Sequence, residues 1–155
     1  MWTDFFVAAA GASAALAGLV IVAISVNINS ILEHSNLPAR AAAAIGALIL
    51  ILVCSMAALI PQRAATLGIE IIVFGVCCWL LEVSSLRKAI ASPRSLSEKL
   101  VELVLGQVQV LPFFIGGIRI SAGHENGLYW VATGVIAIFI ASTVNAWVLL
   151  VEILR

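Results

Sequence analysis

The sequence has little charge. Only 10% of its 155 residues are charged, against about 25% in soluble domains. Hydrophobic residues make up 63% of the chain, and the mean hydropathy is +1.19. A soluble protein of this size could not bury so much apolar surface, so the composition predicts that a lipid bilayer is its solvent. The net charge is formally zero, and no helix-turn-helix, zinc-finger or P-loop spacing occurs, so we expect no nucleic-acid partner.

Residues that could carry catalysis are also scarce. Asp4 is the sole aspartate, and the two histidines, His34 and His124, lie beside different turns. The three cysteines fall in apolar runs without a C-x-x-C spacing, which is typical of small packing residues. Cys77 and Cys78 are adjacent, so on a helix they point about 100° apart and do not converge on one ion. We therefore expect no enzymatic activity, no metal site and no cofactor.

What the sequence does contain is five apolar segments, each near or above the roughly 20 residues that a membrane-spanning helix needs. The segments are residues 5–31, 39–60, 67–86, 100–119 and 128–154. Pro38 suits the first turn of the second segment, Pro61 ends that segment, and the turn-rich stretch 121–127 precedes the fifth. The sequence predicts an all-α polytopic transmembrane helix bundle of five spans, with residues 1–155 as a single transmembrane domain.

The fourth segment carries the features that complicate this prediction. Pro112 has no backbone N–H to donate, so the carbonyl of Val108 loses its usual partner. Gln107 and Gln109 flank that carbonyl, and polar groups in hydrocarbon must be satisfied by neighbouring helices or by water. We predict a helix break at Pro112. The alternative architecture has four spans plus a re-entrant or broken fourth segment.

The basic residues predict the orientation of the chain. With five spans, six of the eight fall on one side of the membrane, and Arg63 and Arg119 fall on the other. Because cytoplasmic loops carry an excess of Lys and Arg, we expect the N-terminus outside and the C-terminus in the cytoplasm.

Small and polar residues recur at helical spacing in four segments. Such stripes let helices approach closely, and their polar members hydrogen-bond across the contact. They comprise Gly11, Ala15, Gly18, Ser25 and Asn29 in the first segment; Gly75, Cys78 and Glu82 in the third; Glu102, Gly106, Gln109 and Gly116 in the fourth; and Gly134, Ala137, Ala141, Asn145 and Glu152 in the fifth. The outer half, including the pair Gly116–Gly117, is nearly free of hydrogen-bonding side chains, which predicts tight, dry packing there.

The polar members share a similar depth, which leads to the first functional hypothesis. Carboxamides and carboxyls of four helices are expected in the cytoplasmic half, where ionisable groups are functional candidates. The expected vestibule is lined by Asn27, Asn29, Gln107, Gln109 and Asn145, with Glu82 and Glu102 near its mouth. The protein would then be a channel or small-solute transport protein. One chain is too short for a complete pore, so we expect a homo-oligomer with the pore on its symmetry axis.

The second hypothesis is a non-catalytic regulatory or scaffolding partner of a larger membrane complex. Short loops and small-residue helix faces favour it. The opening WTDFFVAAAGASAALAGLVIVAISVN and the ending STVNAWVLLVEI resemble small bacterial multi-pass membrane proteins, some of them labelled modulators of a membrane AAA protease. The resemblance implies a bacterial cytoplasmic (inner) membrane location and a regulatory role, and it assigns no residue roles.

Overall fold

The computed structural model describes residues 2–26, 28, 37–90 and 96–153, and their side chains apart from those of residues 37, 39–40, 85, 88–90, 96–105, 145 and 148–153. Within these ranges the chain forms helices and no strand. The helices are α1 (Trp2–Val26), α2 (Leu37–Leu59), α3 (Ala64–Ile90), α4 (Leu96–Ser121) and α5 (Gly127–Ile153). Each predicted segment corresponds to one helix, so the all-α prediction is confirmed.

Four helices are long and apolar enough to cross a membrane, counted over the described residues. Their qualifying stretches are Trp2–Val26, Ala41–Leu59, Ala64–Ser84 and Gly127–Val144. Helices α3 and α4 also run a few residues beyond the predicted apolar segments. At the loop joining them, both helices continue into charged sequence around Arg87 and Lys99. Hydropathy therefore located the apolar body of these helices but not their ends.

The helix ends follow the predicted signals. Pro38 lies in the first turn of α2, and α2 ends at Leu59, just before Pro61. Gly123 terminates α4 with a positive φ of 79°, a conformation that suits glycine. The N–H of Gly123 donates to the Ile120 carbonyl at 2.9 Å, and the N–H of His124 donates to the Arg119 carbonyl at 2.9 Å. This pair of bonds is a Schellman motif, which satisfies carbonyls at the end of the helix.

The helix break predicted at Pro112 is not found, because α4 is one helix from Leu96 to Ser121 with Pro112 inside it. The reason lies in the packing against α5. A Cβ on Gly134 would lie 2.6 Å from the Phe113 ring and 3.2 Å from Pro112 Cβ, so the proline turn of α4 rests directly on the α5 backbone. Phe113 is fully buried there. Neighbouring helices can hold a proline-containing membrane helix together in this way.

Helix α2 occupies a central place, since it packs against α1, α3 and α5. Helix α4 packs against α3 and α5, and α1 touches α5 along a short edge. The side chains of Leu48, Ile51 and Cys54 on α2 are fully or almost fully buried, and so is Ile138 on α5. Helix α2 thus contributes many of the buried side chains, while α1 lies at one side of the assembly.

Adjacent glycines on α4 bring two other helices close. A Cβ on Gly117 would lie 2.9 Å from the Gly68 carbonyl oxygen of α3, and a Cβ on Gly116 would lie 2.9 Å from the Gly127 carbonyl oxygen of α5. Neighbouring helix positions point about 100° apart, so one glycine serves each contact. The contacts of α4 with α3 and α5 are therefore close at this pair, whereas residues 8–18 of α1, which were expected to pack tightly in the same half, are largely exposed.

The small-residue stripe predicted as the packing face of α1 is wrong as an intramolecular contact. Gly11, Ala15, Gly18 and Ser25 are exposed, and no atom of the described residues lies within 4 Å of a Cβ placed on Gly11 or Gly18. The buried face consists of Phe6, Ala9, Ser13, Ala17 and Val20. Phe6 and Val20 offer more van der Waals contact to α2 than glycine does, and such contact drives helix association in lipid.

The stripes of α3, α4 and α5 do face neighbouring helices. Gly75 and Cys78 are buried on α3, Gly106 and Gly116 are buried on α4, and Gly134 is buried on α5. The spacing of small residues therefore located helix contacts on α3, α4 and α5, whereas on α1 it located an outward face.

Candidate functional site

A hydrogen bond joins α3 and α4 at Gln107, one of the residues predicted to line the vestibule. The indole Nε1 of Trp79 donates to Oε1 of Gln107 at 3.1 Å. Trp79 is 38% exposed and Gln107 is half-buried, so the bond lies at the outer surface of the helix pair. An indole N–H in an apolar environment needs an acceptor, and Gln107 supplies one that lipid chains cannot.

Glu82 lies one turn further along α3 and rests against a glycine of α4. A Cβ on Gly106 would lie 3.2 Å from Oε2 of Glu82. Gly106 is buried and Glu82 is half-buried, so the missing side chain of Gly106 makes room for the carboxyl group. Glu82 also has an interaction partner.

Gln107 and Gln109 do not share one environment. Gln109 is buried, with 8% exposure, has an interaction partner, and adjoins Val110, which is 1% exposed. Gln107 faces Trp79 at the helix-pair surface. Two residues apart on a helix means about 200° of rotation, so the two carboxamides point to opposite sides of α4. The structure thus brings Gln107 to Glu82's neighbourhood and directs Gln109 toward the core.

The contacts between α4 and α5 define the relative depth of the remaining predicted residues. Phe113 lies opposite Gly134, and the helices run antiparallel. Extending this register places the backbone of residue 145 level with residue 102, about 7.5 Å along the axis from Gln107. The side chains of Asn145 and Glu102, and the whole of Asn27 and Asn29, lie outside the described residues. The predicted vestibule therefore stays a prediction.

The cysteines are separate thiols. Cys54 and Cys78 are buried, Cys77 is exposed, and all three are free. The opposite exposure of Cys77 and Cys78 agrees with the divergence expected of adjacent helical residues. Across the described part of the chain, no group of three or more His, Cys, Asp or Glu residues could hold a metal ion.

Two polar or aromatic contacts were not anticipated from the sequence. Gln62 Nε2 donates to the Ala57 carbonyl at 3.0 Å and to Oε2 of Glu70 at 2.8 Å, which ties the end of α2 to the start of α3. The sequence did contain a signal for this contact. Glu70 is a carboxyl side chain within the first two turns of an apolar helix, and a polar turn precedes that helix. The Trp79–Gln107 bond gave no local signal, since its partners are 28 residues apart.

An aromatic cluster joins α1 to α5 at the end where both helices begin. Trp2 and Tyr129 meet edge to face with ring centroids 4.8 Å apart. Phe5 and Phe6 extend the cluster on α1, each within 6.1 Å of Trp2 by ring centroid. Edge-to-face pairs of this kind contribute about 1 kcal/mol beyond area burial. The cluster therefore holds the N-terminal end of α1, where its other contacts with α5 are few.

The helices and their contacts define an all-helical protein whose apolar helices suit a membrane. Comparison with protein-family models, with curated proteins and with solved structures finds no match for the chain. Its function must therefore be argued from its own helix faces.

Proposed function

We propose that this protein is a non-catalytic partner subunit of a larger membrane complex and that α1 supplies the contact. The observation that carries the proposal is the outward face of α1, where no described atom lies within 4 Å of a Cβ placed on Gly11 or Gly18. Among the qualifying helix stretches, that of α1 is the least buried, at 17%, against 50% for α2. A regulatory role is also what the resemblance to labelled modulators of a membrane AAA protease implies.

The outward face of α1 has a regular spacing. It comprises Ala8, Gly11, Ala15, Gly18, Val22 and Ser25, all exposed. The steps alternate between three and four residues, which keeps one stripe along a helix. At 100° per residue this stripe lies on the opposite side of α1 from the buried Phe6 and Val20. One face therefore packs on α2 while the other offers close backbone approach to a second helix.

The charge on this face favours a foreign helix over a second copy of α1. Asp4 is exposed and lies one turn before Ala8 on the same stripe. In a symmetric parallel pair of α1 helices, the two Asp4 carboxylates would meet at one level, and like charges facing each other disfavour association. Asp4 already has an interaction partner, and a partner helix without a carboxylate at that level would avoid this repulsion.

We infer five spans in a helix bundle in a bacterial inner membrane, with the N-terminus outside. The continuity of α4 through Pro112 supports a spanning rather than a re-entrant fourth segment. The channel hypothesis stays a prediction. Gln107 already accepts a hydrogen bond from Trp79, so the contacts of the described residues do not specifically support a channel.

Matched leucine substitutions on α1 test the proposal. Ala15 lies on the stripe, whereas Ala12 is also exposed but points about 90° away from it. We expect Ala15→Leu to weaken the complex at least about tenfold, or about 1.4 kcal/mol, and Ala12→Leu to leave it intact. The measurement is the mass of the tagged full-length protein solubilised from its native membrane in mild detergent.

Three results are distinguishable. A hetero-complex lost in Ala15→Leu and kept in Ala12→Leu supports the proposal. A complex made only of this chain would overturn it in favour of a homo-oligomer. A monomer, or equal behaviour of the two variants, would remove the role assigned to α1.

A further inference from the structure

Two exposed tryptophans on α5 are spaced like the two surfaces of a membrane. Trp130 is 40% exposed and Trp147 is 65% exposed. They are 17 residues apart, which is about 25 Å along the helix axis. The hydrocarbon core of a bilayer is about 30 Å thick, and tryptophan and tyrosine concentrate at its two interfaces. The spacing matches this thickness if each indole points slightly toward the headgroups.

Other polar groups gather at the level of Trp130. Tyr129 is 65% exposed beside it and contacts Trp2 at the start of α1. Arg119 is exposed in the last turn of α4, which lies next to the start of α5 because Ile120 contacts Gly127. Glu70 lies within two turns of the start of α3, bonded to Gln62 of the preceding turn. These groups need water or headgroups nearby, so they mark one surface.

The level of Trp147 has an independent marker as well. Glu82 lies opposite Gly106, so the antiparallel register places Arg87 near residue 101 of α4. The register of α4 with α5, set by Phe113 and Gly134, then places Arg87 level with residue 146 of α5. Arg87 is exposed. A guanidinium and an indole thus share this level, as expected at a membrane interface.

The Trp79–Gln107 bond falls between the two levels. The same register places Gln107 level with residue 140 of α5, which is about 15 Å from the Trp130 level and about 10 Å from the Trp147 level. At that depth neither water nor headgroups can accept a hydrogen bond from the indole N–H. The 3.1 Å bond to Gln107 supplies the acceptor inside the protein, which explains why this exposed tryptophan is paired.

We infer that the bilayer surrounds this protein with its two interfaces at the levels of Trp130 and Trp147 and with the Trp79–Gln107 bond near its midplane. The surface between these levels is the lipid-contact surface. Of the ionisable Asp, Glu, Lys, Arg and His side chains that the structure describes on α3, α4 and α5, Glu82 alone lies well inside the two levels. This inference rests on membrane embedding and is independent of the partner proposed for α1.

Fluorescence quenching by brominated lipids tests this placement. Three full-length variants are reconstituted in vesicles. Each variant keeps one tryptophan, Trp79, Trp130 or Trp147, and has the other three changed to phenylalanine. The lipids carry bromine either near the headgroup or near the chain ends. We expect Trp79 to be quenched about twofold more by the deep bromines, and Trp130 and Trp147 to show the opposite preference.

A parallel series protects the test against misfolding of multiple variants. Single changes Trp79→Phe, Trp130→Phe and Trp147→Phe remove one emitter at a time from the otherwise intact chain, and the difference in quenching reports the lost residue. Shallow quenching of Trp79, or deep quenching of Trp130 or Trp147, overturns the placement. If the depths are as expected while Ala15→Leu leaves the particle mass unchanged, only the proposed function of α1 fails.

Discussion

Two glycine-bearing helix faces in this protein have opposite surroundings. On α4, Gly116 and Gly117 touch the backbones of α5 and α3, and a Cβ on either would fall within 3 Å of a neighbouring atom. On α1, nothing in the described part of the chain lies within 4 Å of such a Cβ on Gly11 or Gly18. Both faces have the small-residue spacing that favours close helix approach. The difference teaches that the same spacing is filled by neighbouring helices on α4 and left open by the described residues on α1, where we propose that a partner helix binds.

The largest expected effect comes from adding one methyl group to the occupied face. We expect Gly117→Ala to destabilise the protein by about 2 kcal/mol, because Ile72 Cγ1 at 2.7 Å and the Gly68 carbonyl oxygen at 2.9 Å leave no room for a Cβ. The measurement is the free energy of unfolding of the purified protein in detergent, followed by helical circular dichroism.

The matched change on the open face sharpens the comparison. Gly11→Ala should leave the stability of the purified chain unchanged or raise it by up to about 1 kcal/mol, since alanine is the better helix former and meets no neighbour. Equal destabilisation by the two substitutions would show that α1 is packed in solution and that the two faces do not differ.

A smaller effect is expected where α3 and α4 meet through side chains. Gln107→Met keeps the volume but removes the acceptor for Trp79, and we expect a loss of about 0.6 kcal/mol, typical of polar contacts between membrane helices. A double-mutant cycle with Trp79→Phe isolates the bond. Additive effects of the two changes would mean that the hydrogen bond contributes nothing to stability.

Much of the fold could be predicted from the sequence, because apolar length and turn residues are local signals. The five segments, the end of α2 before Pro61 and the turn at Gly123 needed no knowledge of neighbours. Pro112 shows the limit: its local effect favours a break, whereas packing on Gly134 of α5 keeps the helix intact. That contact could be foreseen only with the register of α4 and α5.

The candidate site was less predictable for a related reason. Sequence spacing places Gln107 and Gln109 at one depth but does not say which neighbour each one meets. The structure pairs Gln107 with Trp79 and buries Gln109. The stripe on α1 was predicted as a packing face, and the structure leaves it exposed, because spacing does not say whether any neighbouring helix of the chain covers it.

Site-specific photo-crosslinking along α1 in native membranes tests the central claim most directly. A photoreactive residue is placed singly at the stripe positions Ala8, Gly11, Ala15 and Gly18, and at the exposed flanking positions Ala12 and Ile21, which point about 90° away from the stripe on either side. We predict adducts of one foreign membrane protein from the stripe positions and none from the flanking pair. Adducts with a second copy of this chain, or an equal yield of lipid adducts at all six positions, would contradict the account.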